Sequence, residues 1–233
     1  MLYNVLLQIT GLELPVTDVL EAAPKEVRLP LWDLAMKGGW IMIPILVLSV
    51  LAVYIFVERY FAIRRAAQTD ENFMNRIKDY IHDGKIESAL TLCQSTDSPV
   101  ARMIEKGIQR IGRPLSDINT AIENVGRLEI FKLEKGLPAL ASAAGGAPMI
   151  GFLGTVTGMI RAFYDMAMAG NNIDVQILSS GIYEAMVTTV AGLSVGIIAY
   201  FAYNILVTRI EKVVNDLETK TTEFMDLLNE PVK

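Results

Sequence analysis

Glu184 is the only charged residue between Val175 and Thr208. A carboxylate at membrane depth costs about 2.5–3.5 kcal/mol on insertion scales, so it faces a bundle interior or water rather than lipid tails. Thr188 and Thr189 follow four and five residues later. On a helix that spacing puts them near the same face, one turn deeper. Thr155 and Thr157 stand at comparable depth on a second apolar stretch. A carboxyl group in line with hydroxyls is a set of stops for a proton or cation. Two plainer readings stay open on spacing alone. Glu184 could sit at the outer boundary, and the threonines could bond back to the i−4 carbonyl. A proton relay needs more than one titratable stop. If protons cross here, with Glu184 alone inside, a second chain is expected to supply the other carrier.

Membrane-length helices must hold these residues. No charge occurs between Gly38 and Val57, or between Gly136 and Ile160. Together with 175–208, each stretch can supply the roughly 20 apolar residues that cross a bilayer core about 30 Å thick. The expected fold is all-α: three transmembrane helices, a cytoplasmic helical module, and long helices extending into the cytoplasm. The segments are a periplasmic N-terminal arm over 1–30 and a first transmembrane helix over 31–63. A cytoplasmic module covers 64–135, a second transmembrane helix 136–164 and a periplasmic loop 165–176. The third transmembrane helix spans 177–208 and a cytoplasmic tail 209–233. Trp32 and Trp40 fit one headgroup level. Tyr54, Tyr60 and Phe61, followed by Arg64 and Arg65, fit the other. Basic residues next to the membrane ends (Arg59, Arg64, Arg65, Lys132, Lys135, Arg209, Lys212) place the module and the tail in the cytoplasm.

The module carries 12 Lys/Arg and 11 Asp/Glu, a mix that suits solvated helix faces. Apolar residues recur at helical spacing, as in Val100, Met103, Ile104, Ile108 and Ile111. Asp83-Gly84, Ser98-Pro99 and Arg113-Pro114 break the helices.

The second and third membrane helices carry many small residues. Gly151, Gly154 and Gly158 lie on one, Gly192 and Gly196 on the other. Gly154-x-x-x-Gly158 and Gly192-x-x-x-Gly196 let helix backbones approach closely, the basis of packing in lipid. The first helix is bulkier and belongs on the lipid side.

One cysteine, Cys93, excludes an intramolecular disulfide. With one histidine, His82, the chain lacks the ligand set of a structural zinc site. The net charge of −5, without a basic cluster, does not suit nucleic acid. No HExxH, GxSxG or phosphate-cradling loop occurs, so neither an enzyme nor a cofactor is expected.

Two motifs go further. Ala147-Pro148-Met149-Ile150-Gly151-Phe152-Leu153-Gly154-Thr155-Val156-Thr157-Gly158 lies in the second helix. Gly181-Ile182-Tyr183-Glu184-Ala185-Met186-Val187-Thr188-Thr189-Val190-Ala191-Gly192-Leu193 lies in the third. With the three-helix layout, they resemble the ExbB/TolQ/MotA family of proton-driven motor subunits over about residues 31–220, most closely its ExbB branch. The resemblance implies a homopentamer in the bacterial inner membrane, its second and third helices lining a central pore. It implies that the pore holds an ExbD-like single-span partner, which brings the proton-carrying aspartate, and that a TonB-like protein passes the work on. The family's pore threonines fall on Thr155 and Thr189, and its glutamate on Glu184. Thr157 and Tyr183 depart from the family pattern. A TolQ-like role in envelope integrity, and a non-conducting membrane scaffold, are the competing expectations.

Overall fold

The computed structural model describes residues 38–68, 72–168 and 175–229. The expected arm over 1–30, Trp32 and the Gly170-Asn171-Asn172 turn lie outside them. Seven helices occur among the described residues. They are α1 (Met42–Ala66), α2 (Phe73–His82), α3 (Ile86–Ser95), α4 (Pro99–Ile108), α5 (Leu115–Glu134), α6 (Leu137–Met168) and α7 (Val175–Asn229). Among these residues there is no strand. Three helical stretches are long and apolar enough to cross a membrane.

α1 begins at Met42, behind a turn in which Gly39 takes φ +65°. That left-handed backbone suits glycine and lies outside helical geometry. Pro44 falls in the first turn, where its missing N–H breaks no intrahelical bond. Arg64 and Arg65 close the last turn, where cations complement the helix dipole. The charged α5 and the apolar α6 are separated at Gly136, whose φ of +90° is left-handed backbone that suits glycine.

α6 and α7 form the most extensive helix pair, with α1 packed on both. Bulky side chains in the membrane stretches point away from the protomer's interior. Examples are Ile43, Val47 and Val50 on α1, Met149 and Phe152 on α6, and Val190 and Ile197 on α7, all exposed. In water such a surface would aggregate. In lipid it is the expected solvent-facing side of the bundle.

The dense core lies beyond the membrane. α7 runs for 55 residues, about 80 Å at 1.5 Å per residue, far longer than the bilayer core. Its distal half brings Ile210, Val213, Leu217 and Phe224 against Phe73 and Ile77 of α2, Ile104 of α4 and Ile122 of α5. Ser98 caps α4 by accepting a bond from the Ala101 amide at 3.1 Å, with Pro99 at the first helical position. Cys93 is inside this core. Burial above all, then the nearby Glu105, pushes its thiol up to about 12, so it behaves as a small apolar residue.

The charges of this region are not all solvated, contrary to the sequence expectation. Glu129 is buried at 4% exposure. Arg102 reaches it at 2.7 Å and Lys132 at 2.7 Å. Asp97 binds both Arg102 and Arg65 of α1 at 2.8 Å. Arg59 donates to the Lys132 carbonyl at 3.0 Å. The membrane-exit end of α1 is thus tied to α4 and α5 by charge-assisted bonds. Burial pushes the Glu129 carboxyl up, but Arg102 and Lys132 outweigh it and hold it below its ordinary value. Its folded value is therefore the lower one. The stability it contributes is complete above the unfolded carboxylate range, about pH 4.3, and is lost as pH falls through the folded value.

Two outcomes are expected in thermal melts of the solubilised protein. Phe224→Ala should cost about 3–5 kcal/mol by opening a core cavity. Arg102→Leu should cost about 1–3 kcal/mol by leaving Glu129 under-bonded, and the gap to wild type should close under acidic conditions that protonate Glu129.

Candidate functional site

The site grows from the contact between two backbones. A Cβ built on Gly192 would lie 2.9 Å from the Gly151 Cα and 2.5 Å from the Ala147 carbonyl oxygen. One built on Gly151 would lie 2.8 Å from the Thr188 carbonyl oxygen. Both approaches are to main chain, which cannot yield as a side chain can. Gly158 faces the Ala185 methyl at 3.0 Å, and Gly196 is closed off by the Pro148 ring. Glycine and alanine thus bring α6 and α7 together along most of the membrane stretch, close enough for hydroxyls on one helix to reach carbonyls on the other. Gly145 and Gly146 of α6 face open space within the protomer.

At the centre of this contact, the Thr155 and Thr189 hydroxyls meet across the two helices. Both also reach the Gly151 carbonyl, Thr189 at 3.1 Å and Thr155 at 3.4 Å. Thr155 also reaches the Ala185 carbonyl of α7 at 3.4 Å. A hydroxyl that can give its proton to more than one neighbour, and accept from another, can pass a hydrogen bond along. Both threonines are half-buried and keep one open side.

Thr188 sits differently. It is 2% exposed and donates to the Ala185 carbonyl at 2.8 Å. Its side chain fills the space over Gly154, and a Cβ on Gly38 would meet its methyl at 3.5 Å. It therefore packs inside the protomer, between the helix pair and the start of α1. Thr157 bonds back to the Leu153 carbonyl at 2.9 Å, the plain reading of a membrane threonine.

Glu184 is half-buried. A Cβ built on Gly39 would meet the Glu184 Oε1, the far end of a flexible side chain. The carboxylate is thus at the end of the bundle where α1 begins, one turn from the threonine pair and beside the Gly39 turn. Sequence spacing put Glu184, Thr188 and Thr189 near one face. The fold separates Glu184 and Thr188, which turn toward α1, from Thr189, which turns toward Thr155. The contact of Glu184 with Gly39, 145 positions away, carries no local signal beyond the paired glycines. Among the described residues no group of His, Cys, Asp and Glu is arranged to hold a metal ion.

Gly192→Ala should pry α6 from α7, because its new methyl meets main chain on both sides. The expected loss is about 1–3 kcal/mol in a thermal melt. Gly145→Ala, whose methyl meets open space, should melt no lower than wild type. Equal melting of Gly192→Ala and wild type would contradict the close-contact account.

Known proteins match the stretch of chain that holds these residues. The sequence model of the MotA/TolQ/ExbB proton channel family matches residues 95–219, just over half of the chain and including all of the threonine site. An ExbB-like biopolymer transport protein of Synechocystis is 27% identical, over 76% of this chain and 71% of its own length. The Tol-Pal system protein TolQ of Pseudomonas aeruginosa is 28% identical over 82% of this chain and 87% of its own. The biopolymer transport protein ExbB of Neisseria meningitidis is 24% identical over 82% and 91%. A membrane bundle built on small-residue contacts, a hydroxyl pair at its centre and this match lead to one conclusion: the chain belongs to the MotA/TolQ/ExbB proton channel family.

Proposed function

We propose that this chain is the ExbB-like subunit of an inner-membrane motor, which couples proton motive force to energised transport across the outer membrane. The observation that carries the reading is the Thr155–Thr189 hydroxyl pair, bound to the Gly151 carbonyl in an otherwise apolar helix contact. Thr155 and Thr189 line the path, Glu184 stands at its outer mouth, and Thr188 holds the helices that carry them. Several copies, five by family resemblance, turn α6 and α7 inward around an ExbD-like single-span partner whose carboxylate supplies the second titratable stop. A TonB-like protein takes up the work. Basic residues at the membrane ends (Arg64 and Arg65 of α1, Lys132 and Lys135 before α6, Arg209 and Lys212 within α7) favour an N-terminus in the periplasm and a C-terminus in the cytoplasm. Each charge crossing 100 mV delivers about 2.3 kcal/mol, enough to bias a packed helix pair between two arrangements.

A TolQ-like role in envelope integrity is the second reading. It is favoured by the slightly higher identity to the Pseudomonas TolQ protein than to the Neisseria ExbB protein. Expression in strains lacking one system or the other separates them: the ExbB-like role restores siderophore uptake, and the TolQ-like role restores detergent resistance.

Thr189→Val and Thr155→Val remove a hydroxyl at nearly constant shape. Each should lower energised uptake at least tenfold, the loss of about 1.4 kcal/mol or more from the rate-limiting step, with expression and melting temperature unchanged. Full uptake by both variants would leave the site a scaffold without a proton path.

A further inference from the structure

A groove of about 350 Å³ runs between α1 and α7, with no α6 residue in its lining. Ala52, Val53 and Phe56 line one wall, and Ile198, Ala202 and Ile205 the other. The surface is almost wholly apolar and opens onto the bulky membrane-facing side, since Val53 and Ile198 are both exposed. One turn beyond Phe56 is Tyr60, and one turn beyond Ile205 is Arg209. The Arg209 guanidinium lies 4.5 Å from the centre of the Tyr60 ring and donates to the Tyr60 hydroxyl at 3.4 Å. Among the described residues it has no carboxylate partner. Glu58, two residues before Tyr60, pairs with Arg59, and Glu211, two residues after Arg209, lines a separate cavity beside Glu134 and Pro138. Arg64, one turn past Tyr60, and Lys212, three residues past Arg209, are exposed and add positive charge at the same level. A guanidinium fixed in orientation by an aromatic ring, with its remaining N–H groups unspent, is suited to two-point binding of phosphate.

We propose that this groove binds an anionic phospholipid of the leaflet at the α1 C-terminal end, one acyl chain lying along Phe56 and Ile198 and the phosphate resting on Arg209. The occupant is a lipid rather than a second copy of the chain because an apolar slot leads to an unneutralised cation at headgroup depth, an arrangement that complements a lipid's tail and head together. The site is independent of the threonine path, so it can hold whether or not the transport role does.

The test uses the full chain, purified in mild detergent as its native assembly. Native mass spectrometry counts retained phosphatidylglycerol against phosphatidylcholine of the same acyl composition. Wild type should prefer phosphatidylglycerol about fivefold, the effect of one basic residue near the membrane surface. Arg209→Gln should erase that preference, and Arg209→Lys should keep part of it, which a merely folded or misfolded distinction would not produce. Val53→Phe, which fills the groove from an exposed position, should lower retention of both lipids. Equal retention of the two lipids by wild type would overturn the proposal. So would an undiminished preference in Arg209→Gln. A Val53→Phe variant that loses subunits while lipid retention stays unchanged would assign the groove to a neighbouring copy and overturn it too.

Discussion

Everything in the membrane half depends on how near α6 can come to α7. Lipid gives two helices no hydrophobic reason to associate, so their attraction comes from van der Waals contact and from hydrogen bonds across a small gap. Gly151 against Gly192 reduces that gap to main chain on main chain. Only then can the Thr189 hydroxyl reach a carbonyl of the opposite helix at 3.1 Å. The polar site results from the packing, since a wider contact would leave each threonine to its own helix, as happens to Thr157.

The soluble half is held differently. There, Phe73, Ile104, Ile122 and Phe224 exclude water in the ordinary way, and a chain of ion pairs from Arg65 to Lys132 joins the end of α1 to the module. α7 takes part in both halves, so the two share one structural member and are not joined by a flexible linker.

Much of this was legible in the residues themselves. Stretches free of charge, but for Glu184 in the third, mark the three membrane helices, because an unpaired charge in lipid is too costly to be common. Gly154-x-x-x-Gly158 and Gly192-x-x-x-Gly196 signal close packing, because only small residues permit it. What could not be read was which face each polar group would choose. Thr188 and Thr189 are adjacent and differ by only about 100° around the helix, yet one is sealed inside and the other meets Thr155. That choice depends on where α1 lies, which no local pattern encodes. The Arg102–Glu129 pair was hidden for a similar reason: its members are 27 positions apart, and each looks like an ordinary surface charge. Within the described residues α1 begins at Met42, just after the left-handed turn at Gly39.

The unbroken length of α7 has a mechanical consequence. A helix is stiff over this distance, and this one has no proline along its 55 residues. Pivoted near Glu184, a tilt of about 5° would swing the far tip by about 6 Å over the remaining ~70 Å of helix. That is more than the width of a helical turn's rise. Small adjustments around a hydroxyl pair can therefore become a stroke large enough to be felt at the opposite end of the molecule.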